Sequence, residues 1–199
     1  MPRHRDVQAF HDRAPSYESG WRGKMHHDIA LRTAELAISL DRAPHRVLDV
    51  GCGTGLLLRL LAQRLPGSDE LVGVDAAPGM VDVATSMRND RRLRFLAGVA
   101  EDLPFPEAYF DLVVSTTSFD HWEDQRGGLS ECARVLSPGG HLVLTDLFSL
   151  WLVPTLLVGH RGHARTKHLA GDLLKACGFH IVSWHRLYAL ILSTAVAAK

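Results

Sequence analysis

The sequence predicts a three-layer α/β fold: a mostly parallel sheet of about seven strands with helices on both faces. Three observations carry that prediction. Short β-branched runs alternate with helical segments through the middle of the chain, at the spacing of βαβ units. The first such run ends in a cluster of glycines and opens into a leucine-rich helix. With 199 residues, 46% hydrophobic and 22% charged, the chain can fill one core and is too apolar for disorder.

In chain order, residues 1–45 read as a helical cap, chiefly Lys24 to Leu40. Arg46–Val50 is a short β-branched run that ends in glycines, hence a buried strand. Leu56–Leu65 carries leucine on most faces and reads as a buried helix stopped by Pro66-Gly67. Leu71–Asp75 is the second strand; Ala77–Met87 is the second helix, with Pro78 in its first turn. Leu93–Leu96 and Phe110–Ser115 follow as strands. A helix from Gly128 to Leu136 ends at Pro138-Gly139-Gly140, and His141–Asp146 is the fifth strand. There the alternation stops. The apolar stretch Leu147–Val158 predicts a lid, followed by a helix at Gly171–Ala176 and strands at His180–Leu187 and Ala189–Ala195. The expected organisation is a single domain, 1–199, with a cap (1–45), a ligand-binding core (46–147) and a closing segment (148–199).

Composition excludes several functions. Lys+Arg 22 against Asp+Glu 22 gives no net charge, which argues against a nucleic-acid binder held by phosphate contacts. The balance hides an asymmetry: residues 151–199 hold six basic side chains and one acid. Cys52, Cys132 and Cys177 are odd in number and far apart, which is neither a disulfide framework nor zinc spacing. No apolar run reaches the ~20 residues that span a bilayer, and the polar N-terminus has no signal-peptide pattern. A cytoplasmic protein without stable membrane insertion is expected.

Val47-Leu-Asp-Val-Gly-Cys-Gly-Thr-Gly55 carries the strongest chemical signal: strand, tight glycine turn, helix. Gly51, Gly53 and Gly55 permit positive φ and close approach of a ligand to the backbone. A dinucleotide fingerprint needs G-x-G-x-x-G; this register is G-x-G-x-G, with Leu56 in place of the last glycine. Asp49 would repel a diphosphate and favour a ligand carrying positive charge, such as S-adenosylmethionine. Asp75, at the end of the second strand, suits two ribose hydroxyls. An open sheet places this ligand beyond the carboxyl ends of its strands, where strand order reverses.

In these residues, and in Val72–Met80, Ala100–Phe105, Phe110–Ser115, His121-Trp122 and Ala133–Leu144, the chain resembles class I S-adenosylmethionine-dependent methyltransferases. The resemblance is to the broad ubiquinone- and menaquinone-biosynthesis group and covers roughly residues 45–147. It implies a Rossmann-like sheet with the cofactor's methionine part against Gly51, Cys52 and Gly53, and Asp49 near the ammonium. It further implies Asp75 on the ribose, Ala76 and Met80 flanking the adenine, and the backbone of Ala100 and Glu101 on the adenine edge. Ser115 would close the pocket, and Tyr17 would reach the cofactor carboxylate. Val99 departs from the pattern: relatives place an acid or amide there for the adenine amino group, a role left here to Glu101, Asp102 or nothing.

Methyl transfer asks for an aligned acceptor in a dry pocket and, for a hydroxyl acceptor, a base near neutral pKa. His121 is the candidate base, and His27, beside His26 in the cap, is the alternative. His160 and His163 flank a glycine and an arginine in a basic run, and no metal site is expected. The apolar 147–158 segment implies a hydrophobic small-molecule acceptor or a contact in a homodimer. A macromolecular acceptor, and a cofactor-binding protein without catalysis, are the competing readings. The segment Ser115-Thr-Thr-Ser118 lacks the Pro-Pro-aromatic pattern of nucleic-acid amine methylation.

Overall fold

The computed structural model describes residues 6–40, 43–148, 166–188 and 192–199. The predicted seven-stranded sheet is present, in the order β3-β2-β1-β4-β5-β7-β6. Its strands are β1 Arg46–Val50, β2 Glu70–Asp75, β3 Leu93–Ala97, β4 Phe110–Thr116, β5 Leu136–Leu147, β6 His180–Tyr188 and β7 Leu192–Ala198. The first five are parallel, and β7 runs antiparallel to both β5 and β6. Strand order reverses at β1, which lies between β2 and β4. A ligand cleft is therefore expected past the ends of β1 and β4.

Helices α3 (Leu56–Arg64), α4 (Pro78–Ser86), α5 (Gln125–Val135) and α6 (Lys167–Ala176) belong to the sheet layers. The cap consists of α1 (Val7–Arg13), a 3-10 turn at Ala14–Ser16, and α2 (Gly20–Ser39). Strands covered on both faces explain the continuous apolar runs: in β1 only Arg46 is exposed. One core cluster joins Leu57, Leu58 and Leu61 of α3 to Ala30, Ala34 and Ala37 of α2. A second gathers Phe110, Phe119, Trp122, Leu129, Leu142 and Phe179, and a third, small one holds Ala14, Ala77 and Met80. Fully burying one such leucine contributes about 1.5–3 kcal/mol.

Several boundaries differ from the sequence expectation. Helix α1 falls within the expected helical cap; none of its residues is fully buried, and Val7 and Phe10 pack partly buried against Ala14, Ala77 and Met80. Helix α5 ends at Val135, and β5 begins at Leu136 and runs through Pro138-Gly139-Gly140. Those residues are held as strand because Gly139 N–H donates to the Lys199 carbonyl and Lys199 N–H to the Gly140 carbonyl. The last strand is Leu192–Ala198, not Ala189–Ala195; its register against β5 sets Ala197 opposite Leu142. Helix α6 starts at Lys167 because the Thr166 hydroxyl caps it, accepting from Leu169 N–H. The predicted lid and the basic run with His160 and His163 fall largely in residues 149–165, outside the described residues. Among the described residues no helix is long and apolar enough to cross a membrane.

Candidate functional site

The loop after β1 is a chain of internal hydrogen bonds. Gly51 and Cys52 N–H both donate to the Val74 carbonyl, at 2.8 and 3.1 Å. Gly53 N–H donates to Asp75 Oδ2 at 2.8 Å, and Gly55 N–H to the Cys52 carbonyl at 2.9 Å. The other Asp75 oxygen accepts from Ala77 N–H at 2.9 Å, so this one carboxylate ties the glycine turn to the start of α4. Burial raises the Asp75 pKa, and the two N–H donors oppose that rise. Gly51 has φ +75°, and a Cβ there would stand 2.3 Å from the Ser118 side chain. Gly55, at φ +77°, has the Phe95 ring 2.6 Å from its Cβ position.

This turn forms one wall of a cleft with about 720 Å³ of open space. Tyr17, Gly51, Gly53, Asp75, Ala76, Met80, Ala100, Glu101 and His121 line it. Asp49, Cys52, Gly55 and Ser115 do not; they stand behind the wall. Cys52 is buried against Gly73, and Gly55 against Phe95. Ser115 is fully buried, with its hydroxyl 2.8 Å from that of Ser118, which is the one that faces the cleft. Asp49 is sealed under the turn with neither carboxylate oxygen hydrogen-bonded. Desolvation, and then the charge of Asp75, push its pKa up to about 8. At the far end, Glu101 Oε1 accepts from Asp124 N–H, while Oε2 is buried without a partner.

A second, larger chamber has about 1700 Å³ of open space between the cap and the ends of β5 and β7. Met25, Ile29, Leu147 and Leu192 supply much of its apolar surface; Arg13, Arg22, His26, Asp120 and Asp146 are ionisable groups that line this space alone. His26 stacks on Tyr17 at 4.9 Å, and burial, followed by the Arg22 charge, lowers its pKa. Burial lifts Asp146 to about 6. Asp6, Phe10, Tyr17, Thr117 and His121 line both spaces and make the wall between them. Thr117 holds φ +51°, a conformation that strains a β-branched residue, at this boundary. His27 lies exposed on α2 and lines neither space.

The cap is fastened by a buried ion pair that the sequence did not disclose. Arg59 of α3 donates to Glu18 at 2.7 Å and to the Thr54 carbonyl, and the Thr54 hydroxyl also donates to Glu18. On the other side, Gly79 N–H donates to His11 Nδ1 at 2.9 Å. Of these residues Thr54 lies in the glycine turn and Gly79 in the Val72–Met80 stretch. Glu18, Arg59 and Asp6 carry no pattern, because their partners lie 36 to 115 positions away.

A model of the methyltransferase domain family matches residues 48–144, which covers the glycine turn through β5. A demethylmenaquinone methyltransferase of Thermus thermophilus is 40% identical over 121 residues, 60% of this chain and 54% of that protein. The chain spans about half the length of the curated relatives it matches. Among solved structures, the YcgJ protein of Bacillus subtilis superposes with a TM-score of 0.66 at 28% identity, covering 77% of this chain and 70% of that one. The [4+2]-cyclase SpnF shares the fold at a TM-score of 0.79 and 18% identity, over 98% of this chain and 96% of that one. The match spans the strands and the turn that build the cleft: residues 48–144 are a methyltransferase domain, similar to the class I S-adenosylmethionine-dependent methyltransferases of the ubiquinone- and menaquinone-biosynthesis-like group.

Proposed function

We propose that the chain transfers a methyl group from S-adenosylmethionine to a hydrophobic small-molecule acceptor, at oxygen or carbon, and that the two spaces hold the two reactants. One observation carries this reading. Every glycine-turn N–H named above is bonded within the protein, and residues 54–58, where α3 begins, do not line the cleft. A diphosphate needs free N–H donors at such a turn. What the cleft offers instead is carboxylate: Asp75 on the wall, Asp49 unpaired beneath it, and Glu101 Oε2 unpaired at the far end. Buried carboxylate oxygens without donors suit a ligand that brings positive charge and N–H and O–H groups.

In this reading Gly51, Gly53 and Tyr17 hold the methionine part, above the buried Asp49 carboxyl, which the cofactor's positive charge would drive towards its ionised form. Asp75 takes the ribose, Ala76 and Met80 flank the adenine, and Ala100 and Glu101 face its edge. Cys52, Gly55 and Ser115 act from behind the wall by fixing the turn and Ser118. When bound, the cofactor supplies an electrophilic methyl group on a cationic sulfur that leaves without acid assistance.

The protein's remaining work is positioning, which can supply about 7–11 kcal/mol of the barrier when reactants are held aligned. Phe10, Tyr17 and Thr117 form the boundary across which an acceptor in the second chamber meets the first cleft, and the cap keeps water from it. His121 is the base for an acceptor that must lose a proton; His27 is too far out on α2 to serve. Met25, Ile29, Leu147 and Leu192 favour an apolar acceptor body. The relatives named demethylmenaquinone methyltransferase and O-methyltransferase support a small acceptor.

The test uses S-adenosylmethionine with a tritiated methyl group, the purified chain and a cell extract. Label recovered in the solvent-extractable, low-molecular-weight fraction supports the reading. Label confined to precipitated protein or nucleic acid would replace it with a macromolecular acceptor.

A further inference from the structure

His121 sits in a 3-10 turn, Phe119–His121, just past β4 and on the wall common to both spaces. Its ring is not loose. Nδ1 lies 2.8 Å from Asp6 Oδ2, and the Phe10 ring meets the imidazole edge-on at 5.0 Å. Both partners come from the N-terminal cap, more than 100 positions away in sequence. Asp6 is the N-cap residue of α1, yet its side chain makes no capping bond. An aspartate at this position ordinarily caps its helix, and here the carboxylate faces the imidazole instead.

We infer that Asp6 is a positioning residue for His121, holding its Nδ1 as the donor and leaving Nε2 with a bare lone pair on the shared wall. The inference rests on the methyl-transfer reading for its purpose but not for its test. An imidazole that donates Nδ1–H to a carboxylate is fixed in one tautomer and one rotamer, so the other nitrogen is always the acceptor. The step this serves is a proton transfer. The bond between the acceptor's reacting atom and its proton breaks, the proton passes to Nε2, and the electron pair stays on the acceptor atom.

Because Asp6 belongs to the cap, the base is assembled only when α1 is seated. Seating depends on His11 against Gly79 and on Glu18 against Arg59 and Thr54. Assembly of the base is thus tied to closing the roof over the cleft. Three carboxylates bear on this imidazole: Asp6 at Nδ1, Asp75 from the first cleft and Asp146 from the second.

The experiment is long-range proton–nitrogen correlation NMR on protein labelled with ¹⁵N in its histidine rings, recorded at a pH where the imidazoles are neutral. His121 is assigned by the signal lost in His121→Gln. The wild type should show Nδ1 protonated and Nε2 bare. Asp6→Ala should move the majority of the population to the opposite tautomer, and Asp6→Glu should restore it. A wild-type His121 protonated at Nε2 would overturn the inference, as would a tautomer unchanged in a folded Asp6→Ala. If Asp6→Ala fails to fold, the wild-type and Asp6→Glu spectra still decide. Binding of S-adenosylhomocysteine to the wild-type sample reports separately on the methyl-transfer reading; its absence would sink that reading and leave the tautomer result standing.

Discussion

The two spaces that meet at His121 are built from different materials. The first has one wall of main chain: a glycine turn and strand ends, tied by one carboxylate that accepts from two backbone N–H groups. The second is made of side chains carried by the cap and by the far half of the sheet. A main-chain site has fixed geometry and little freedom to change its ligand without losing the fold. A side-chain site changes its ligand by substitution while the sheet stays intact. In the proposed reading the contrast suits the invariable reactant, the cofactor, to the first space and the variable one, the acceptor, to the second.

The largest effect is expected where main-chain geometry has no slack. Gly51→Ala adds a Cβ at φ +75° and 2.3 Å from the Ser118 side chain. Calorimetry should show S-adenosylhomocysteine binding weakened on the order of 100-fold, the sum of left-handed strain and a displaced wall. Gly20→Ala is the control: φ is +67° there with nothing within 4 Å, so only strain of about 1 kcal/mol is added. Equal losses of affinity in both would remove the distinction between a turn that cradles and a turn that merely bends.

An intermediate effect is expected at the fastening between the two regions. Glu18→Gln leaves the Arg59 guanidinium, whose side chain is 9% exposed, without its counter-charge. Removing one partner of a buried pair costs about 3–5 kcal/mol, reduced here to about 2 kcal/mol because Glu18 is partly solvated. Urea denaturation should show that loss, and limited proteolysis should cut the cap first. An unchanged midpoint would mean that the cap is held by its apolar contacts alone.

The third effect concerns pH and is the smallest only when counted per pH unit. Asp49 has its pKa raised from an ordinary 3.8 to about 8, so between those values the folded chain keeps a proton that the unfolded chain has released. Folding stability therefore falls as pH rises from about 4 to about 8, by at most about 1.4 kcal/mol per pH unit from this group. Denaturation midpoints measured across that window should slope downward, and Asp49→Asn should flatten the slope. A slope that survives Asp49→Asn would assign it to other buried acids, among them Asp146, whose pKa is about 6.

The same division explains what could be read from the sequence. The sheet, the glycine turn, Asp75, Met80 and the Ala100-Glu101 pair were legible because each is local: a strand, its turn and the next helix sit within a few residues of one another. The parts that depend on distant pairs were not. Asp6 meets His121 and Glu18 meets Arg59 only after the cap folds over the sheet, and neither pairing leaves a period or spacing behind. Asp49 shows the limit in the other direction. Its place before the turn was plain, but that it lies sealed behind the wall follows from the Val74 carbonyl drawing Gly51 and Cys52 down over it. The Leu192–Ala198 strand was misplaced by three residues because its alternation is weak and its register is set by β5.

The central claim is that the first space holds a positively charged adenosyl ligand and no diphosphate. Titration calorimetry of the purified chain with S-adenosylmethionine, S-adenosylhomocysteine and NAD in turn tests it most directly. The account predicts micromolar or tighter binding of the first two and no heat of binding from NAD. Binding of NAD alone would contradict it.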